Sequence, residues 1–266
     1  MTALVPALFA LLGLCVGSFL NLCTDRLPAG RSIIGPGSYC DASRQPLRPR
    51  DLVPVLSYVW LKGRCRYCGA RIPLRLPLVE LATGVLFGLL AWHFGLTLET
   101  GVALVYACLF LLIFVIDLEK KLILYSVLIG GAILAFAFSF FWGGFEDFWP
   151  RLGPGFVLSS LLGGAAGFGI LLVVYLVFRG AMGRGDVYLA GLIGLVDGYP
   201  LVLVALMVGI VAGGLVGVLL LATRLAGRKD VVPYGPFLAV GAMVSLVWGE
   251  RIVEWYQGLT AFAAVG

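Results

Sequence analysis

Hydrophobic and polar positions in this chain fall into long blocks, without the alternation of a half-buried strand or the single apolar stripe of a surface helix. Eight runs are apolar almost throughout, at roughly 3–23, 78–96, 99–117, 123–142, 155–178, 186–198, 200–223 and 234–249. A helix that crosses the ~30 Å hydrocarbon core needs about 20 such residues. The pattern therefore predicts an all-α polytopic membrane protein with about eight transmembrane helices. The sixth run is short, and it is divided from the seventh by Asp197-Gly198-Tyr199-Pro200, a turn signal. Fusing the two gives a seven-helix alternative.

Composition agrees with this class. The 266 residues are 61% hydrophobic, with a mean hydropathy of +1.05, against about 45–50% apolar in soluble domains. The first run has no basic residue ahead of it and no clear cleavage site, so it reads as an anchor and not as a removable leader. Between runs one and two lies the only sizeable polar segment, 24–77. Three divisions follow: a first transmembrane helix at 1–23, a small basic insert at 24–77, and a transmembrane helix bundle at 78–266.

Charge sets the orientation. The insert holds ten Lys and Arg; Lys120, Lys121, Arg179, Arg184, Arg224, Arg228 and Lys229 fall in later loops on the same side, and only Arg151 and Arg251 on the other. Lys and Arg accumulate on the cytoplasmic side. Both termini are thus expected outside, with the insert on the cytoplasmic side of the membrane. The insert's ten basic residues against Asp25, Asp41 and Asp51 leave it at +7. That charge suits anionic lipid head groups; no nucleic-acid-binding motif accompanies it, so no nucleic acid partner is expected.

Ionisable residues at membrane depth are costly and are functional candidates by default. Asp186 follows Gly183-Arg184-Gly185, and Asp117 ends the run LFLLIFVID. On the predicted topology both lie near the cytoplasmic face. Taken singly, each could be the first polar residue after a span; a pair at one depth points to acid–base chemistry. Asp186 begins a helix, where the dipole favours an anion, and Asp117 ends one, where it does not, which suggests Asp186 as base and Asp117 as acid. His93 is the only histidine and lies near the opposite face. That excludes a zinc site of the HExxH type and leaves no good serine–histidine pair. Intramembrane acids also serve proton-coupled transporters, which often carry inverted repeats; none is evident here.

The insert also carries Cys40, Cys65 and Cys68. Cys65 and Cys68 have the spacing of half a zinc site, and structural zinc takes four ligands. With Ser43 three positions after Cys40, a four-cysteine site is impossible within the insert. The cysteines leave a three-thiolate site completed by Asp41 or water, or no metal. Cytoplasmic placement argues against a disulfide. Glu80 sits near the start of a span, where the helix amino end favours a negative charge.

Together these motifs resemble the membrane GxGD aspartyl proteases, most closely the bacterial type IV prepilin peptidases. The resemblance is carried by Gly17-Ser18-Phe19-Leu20-Asn21 followed by Arg26-Leu27-Pro28, by Leu61–Cys65 and Arg71–Glu80, by the Gly183–Asp186 motif, and by Pro233-Tyr234-Gly235-Pro236-Phe237. It implies Asp117 and Asp186 as the catalytic dyad. Gly183, Gly185, Pro233, Gly235 and Pro236 would position a prepilin or pseudopilin substrate. Zinc on Cys40, Cys65 and Cys68 is implied too, as is methylation of the new amino terminus from S-adenosylmethionine, with Glu80 marking that bifunctional branch. The chain departs from the family pattern at Ser43, at Leu122-Ile123-Leu124, which lacks a proline, and at Tyr188, where a Lys is usual. An inactive scaffold for pilus assembly is the reading those departures keep open.

Overall fold

The computed structural model describes residues 3–140, 155–178, 182–224 and 233–265. The segment 143–153, with Glu146, Asp147 and Arg151, lies outside the described residues, as do Arg179, Arg228 and Lys229. Among the described residues each predicted run contains a helix. In chain order the helices are α1 (Leu4–Arg26), α2 (Leu56–Trp60), α3 (Arg75–Phe94), α4 (Leu98–Lys120), α5 (Tyr125–Phe138), α6 (Gly155–Val177), α7 (Arg184–Asp197), α8 (Leu201–Ala222) and α9 (Gly235–Val265).

Six of these are long and apolar enough to cross a membrane: α1, α3, α4, α6, α8 and α9. The other two apolar helices, α5 and α7, have 14 residues each. At 1.5 Å per residue that is ~21 Å, so among the described residues six helices meet the length for a full crossing and α5 and α7 fall short of it. The α7–α8 boundary falls at the expected turn, where Gly198 closes α7 at φ +73°, a conformation that favours glycine. The last helix runs well past its expected end at 249. No glycine–proline break follows Arg251, and the chain continues as helix on its polar residues.

Two compact units divide the chain within α4: Met1–Cys108 and Leu109–Gly266. In the first, α1 packs against α3. A Cβ on Gly17 would lie 2.7 Å from the Cα of Glu80, so only glycine permits this approach. Asn21 then donates its amide to Leu76 O at 2.9 Å. The conspicuous GSFLN segment is thus a helix-packing device of the kind small and amide residues supply in membranes.

The insert is anchored at both ends. Arg75 pairs with Asp25 through two hydrogen bonds of 2.8 and 2.9 Å, joining the ends of α1 and α3. Buried Arg26 donates to the carbonyls of Ser32, Pro36 and Gly37, which folds the first loop back on α1. Beyond it are α2, a 3-10 turn at Pro49–Asp51 and two isolated bridges.

In the second unit α7 is central, in contact with α5, α6, α8 and α9. Gly163 of α6 and Gly194 of α7 face each other so closely that a Cβ on either would overlap the other's carbonyl or its neighbours. Ser160 of α6 donates to Leu195 O and Ser159 to Tyr199 O, satisfying carbonyls at and beyond the end of α7 that no helical amide reaches.

Candidate active site

The second unit brings Asp117 and Asp186 together. Asp117 lies in the last turn of α4 and is 5% exposed; Asp186 is the third residue of α7 and 6% exposed. The two are near enough for the charge of one to act on the other. Each is met by a backbone amide. Gly183 N–H donates to Asp186 Oδ2 at 3.0 Å, the return bond of a third-position carboxylate to its helix cap. Gly235 N–H donates to the Asp117 carboxylate.

The glycines flanking these acids are sites of close approach. A Cβ on Gly235 would stand 2.5 Å from Asp117 Oδ2, and one on Gly185 would stand 3.0 Å from Ile123 Cβ. Ile123 Cδ1 also lies 3.4 Å from the Gly235 Cβ position. Ile123 therefore fills the angle between the start of α7 and the start of α9. Pro236 is the second residue of α9 and buried; proline is tolerated in a first helical turn, where its missing N–H leaves no bond unmade. Pro233 is half-buried just ahead of that helix.

Sequence reasoning missed two residues here. Ile123 carries no chemical signal, since its importance is its shape between two glycines. Tyr234 lies within reach of the Asp186 charge, and its ring packs against Gly213 of α8; the chain pattern around Pro233 was the only pointer to it. Tyr188, where the resemblance predicts a Lys, faces an aromatic group instead, with ring centroids 5.5 Å from Tyr125 and 5.8 Å from Phe168. The Gly183–Asp186 bond forms without a cation at that position.

The chemistry this allows is that of paired carboxylates. Two such groups close together do not both ionise easily, and one stays protonated to donate while the other accepts. Their burial excludes bulk water, which strengthens every interaction in the site.

The first unit gathers a second set. Cys40, Cys65 and Cys68 present sulfurs that all lie within 4.8 Å of one another, with Cys40 Sγ and Cys68 Sγ 3.6 Å apart. The backbone amide of Ser43 and then its hydroxyl push the Cys40 thiol down to about 6. Asp41 is exposed. Glu80 is buried but does not serve the helix amino end as expected: α3 starts at Arg75, so Glu80 stands in the second turn, beyond the reach of unsatisfied amides. It instead accepts from Val55 N–H at 2.7 Å and from the Ser18 hydroxyl. Val55 has φ +60°, an outlier for a β-branched residue, so Glu80 holds the insert in a conformation it would not otherwise adopt.

Comparisons with known proteins decide the family. Residues 104–218 match the type IV leader peptidase family, and residues 11–94 match the bacterial peptidase A24 N-terminal domain. A prepilin leader peptidase/N-methyltransferase of Bacillus subtilis is 32% identical over 251 residues, covering 92% of this chain and 94% of the relative. The chain belongs to the type IV leader peptidase family. Its other relatives with the same name include those of Pseudomonas aeruginosa, 30% identical across 95% of this chain and 93% of the relative, and of Pseudomonas putida, 31% identical across 98% of each. No solved structure matches the chain. As a family member it carries both matched regions in order, and the acids Asp117 and Asp186 both fall inside the peptidase match.

Proposed function

We propose that this protein cleaves the basic leader from type IV prepilins or pseudopilins at the cytoplasmic boundary of the inner membrane, with Asp117 and Asp186 as the dyad. The observation that carries the reading is the convergence of two buried carboxylates from α4 and α7, each steadied by the amide of a glycine segment. Asp186 is the base: it sits in the first turn of α7, where the helix dipole and the Gly183 amide favour its anion. Asp117, at the end of α4, is the acid that donates to the peptide oxygen. The dyad titrates as a pair. Gly183, Gly185, Pro233, Gly235 and Pro236 shape the backbone on which the substrate lies.

Incubating the purified, membrane-reconstituted protein with a prepilin tests this directly. Wild-type protein should release a leader and Asp186→Ala should not. Cleavage by both would remove the protein from the aspartyl proteases; cleavage by neither would favour the scaffold reading, and proton-coupled transport by the reconstituted protein the transporter reading. Topology is tested separately by cysteine labelling from outside, which should reach 143–153 and the carboxyl-terminal residues but not 24–77.

The relatives' names pair the peptidase with an N-methyltransferase. The donor for that step would be S-adenosylmethionine; the described residues hold no strand-to-helix glycine loop of the type that cradles such cofactors, and none is put forward as its binder. Zinc fits the insert better. Three converging thiols supply three of the four ligands of a structural site, and a module of this size has little core of its own. The metal would hold the Cys40 and Cys65–Cys68 loops together as folding energy. The +7 insert faces anionic lipid, and no nucleic acid takes part.

A further inference from the structure

The insert contains one turn twice, and the two copies differ at the residue that matters. Around Cys65 four backbone contacts define a compact ribbon. Gly69 N–H donates to Cys65 O at 2.9 Å, Cys65 N–H to Ala70 O at 2.8 Å and Ile72 N–H to Gly63 O at 2.8 Å, and Arg64 bridges to Arg71. A shift of 25 residues, from Cys65 back to Cys40, reproduces all four. Arg44 N–H donates to Cys40 O at 2.7 Å, Cys40 N–H to Gln45 O at 2.9 Å and Leu47 N–H to Ser38 O at 2.9 Å, and Tyr39 bridges to Pro46.

The torsions repeat as well. Gly69 closes its turn at φ +69°, and Arg44 closes the other at φ +58°. A non-glycine residue in that region is strained, so the first turn keeps its form against local preference. In this register Cys40 corresponds to Cys65, and Ser43 corresponds to Cys68. Asp41 corresponds to Arg66, whose side chain turns away to Asp51 at 2.7 Å, and Asp41 is itself exposed.

The Ser43 oxygen behaves as its position suggests. It is fully enclosed, and the polar group it faces is the Cys40 thiol. An enclosed hydroxyl is costly to leave incompletely satisfied, and a metal ion held by the three neighbouring sulfurs would give its oxygen a partner.

We infer that Ser43, and neither Asp41 nor water, is the fourth ligand of a zinc ion held by Cys40, Cys65 and Cys68. The inference rests on the zinc reading of the three cysteines. Binding displaces a proton from each thiol, while Ser43 coordinates as a neutral hydroxyl. Three thiolates then leave the zinc site at −1, where four would make it −2. The oxygen makes the site harder and weaker than a four-thiolate site.

The test uses the full chain in detergent or nanodiscs, with zinc affinity measured by competition against a chelator and ligand type by zinc X-ray absorption. Loss of a residue that merely orients a ligand costs ~10–100-fold in metal affinity, so Ser43→Ala should weaken binding at least ~10-fold. Ser43→Cys should tighten it by a similar factor and change the absorption fit from three sulfurs and one oxygen to four sulfurs. Asp41→Ala should change neither. Equal affinity in wild type and Ser43→Ala would overturn the assignment and give the position to water, with the three-cysteine site intact. Wild type without zinc would overturn it too; if Ser43→Cys then bound metal, the cysteine cluster would be sound and only the hydroxyl's ligation refuted. Cys65→Ser with Cys68→Ser, losing zinc, establishes that the cluster is the site being measured.

Discussion

The thiols of the first unit come from two like turns and are held by hydrogen bonds inside each turn. The carboxylates of the second unit come from different helices and are held by amides of glycine segments. Around Cys40 and Cys65 the backbone hydrogen bonds that shape each turn lie within about eight residues of the cysteine they orient, with Asp51 bracing the second turn from farther along the insert. Asp117 has no such local support: its amide donor is Gly235, at the head of α9. A site built from local turns can be repaired or spoiled one ligand at a time. One built on helix ends fails through misplacement of a neighbour as readily as through loss of the acid. The two sites should therefore respond differently to substitution.

The largest effect is expected at the acids. Asp117→Ala and Asp186→Ala should each abolish leader removal while the protein still accumulates in the membrane. Losing a general acid or base costs typically ~10²–10⁴-fold, and half a dyad belongs at the upper end. Asn at either position should be nearly as inactive, since shape is kept and proton transfer is lost. Cleavage assays on protein normalised by immunoblot check both.

Next comes a change that touches neither acid. In Gly235→Ala the new methyl would stand 2.5 Å from Asp117 Oδ2 and 3.1 Å from its Cγ. Either the carboxylate or the start of α9 must move. Misplacement of a reacting group by ~1 Å can cost ~10²-fold, and the loss should appear in kcat more than in KM. Activity at the wild-type level would show that the head of α9 is not a fixed wall of the site. Gly183→Ala should cost less, because a Cβ there meets Asp186 Oδ2 at 3.3 Å, a tight contact that a small shift relieves.

These contacts also mark where the sequence stops being informative. Asp117 and Asp186 stand out because a carboxylate at the end of an apolar run is rare, and hydropathy alone exposes that. Their meeting is a matter of helix packing, which block-like hydrophobicity does not encode. Ile123 was noticed only for lacking a proline, and its role between Gly185 and Gly235 needs three-dimensional neighbours to appear. Glu80 was assigned to a helix start because the apolar run begins at 78, whereas α3 opens three residues earlier, with Pro77 accommodated in its first turn. Ser43 was read as a missing cysteine; the repeated hydrogen-bond register that gives it a place is invisible in residue identities, since Gly69 is matched by Arg44.

A smaller effect on cleavage is expected from the cysteines. Cys65→Ser with Cys68→Ser should remove bound zinc, measured by elemental analysis, and loosen residues 40–70, measured by hydrogen exchange. Any methyl transfer should suffer, while some leader cleavage persists because the dyad's amide donors belong to the second unit. Complete loss of cleavage in a protein that still accumulates would show that the two sites depend on each other and erase the contrast drawn between them.

The smallest effect concerns what braces the second turn. Asp51 accepts from Arg66 Nε at 2.7 Å, from the Tyr67 hydroxyl at 2.9 Å and from Arg48 N–H at 3.2 Å, and Arg66 and Tyr67 are the two residues between Cys65 and Cys68. The Arg66 hydrogen bond, opposed by burial and helped by Tyr67, holds the Asp51 carboxyl below the usual carboxylate range. A group whose folded value is depressed stabilises fully above its unfolded value of ~3.9. That contribution is lost as pH falls through the folded value. Arg66 is 36% exposed, and ion pairs of that exposure are worth about 0–1 kcal/mol, so the turn should loosen slightly and only in acid. Metal must be absent in this measurement, because thiolate protonation would release zinc at higher pH and mask the carboxylate. In zinc-free, reduced protein, trypsin should cut after Arg64 and Arg66 slowly at pH 7. Asp51→Asn should speed that cut modestly at pH 7, and hydrogen exchange of 64–69 should separate the two proteins less and less as the pH drops below ~4. A separation that stays constant as the pH falls well below ~4 would mean that Asp51 shapes this turn without its charge.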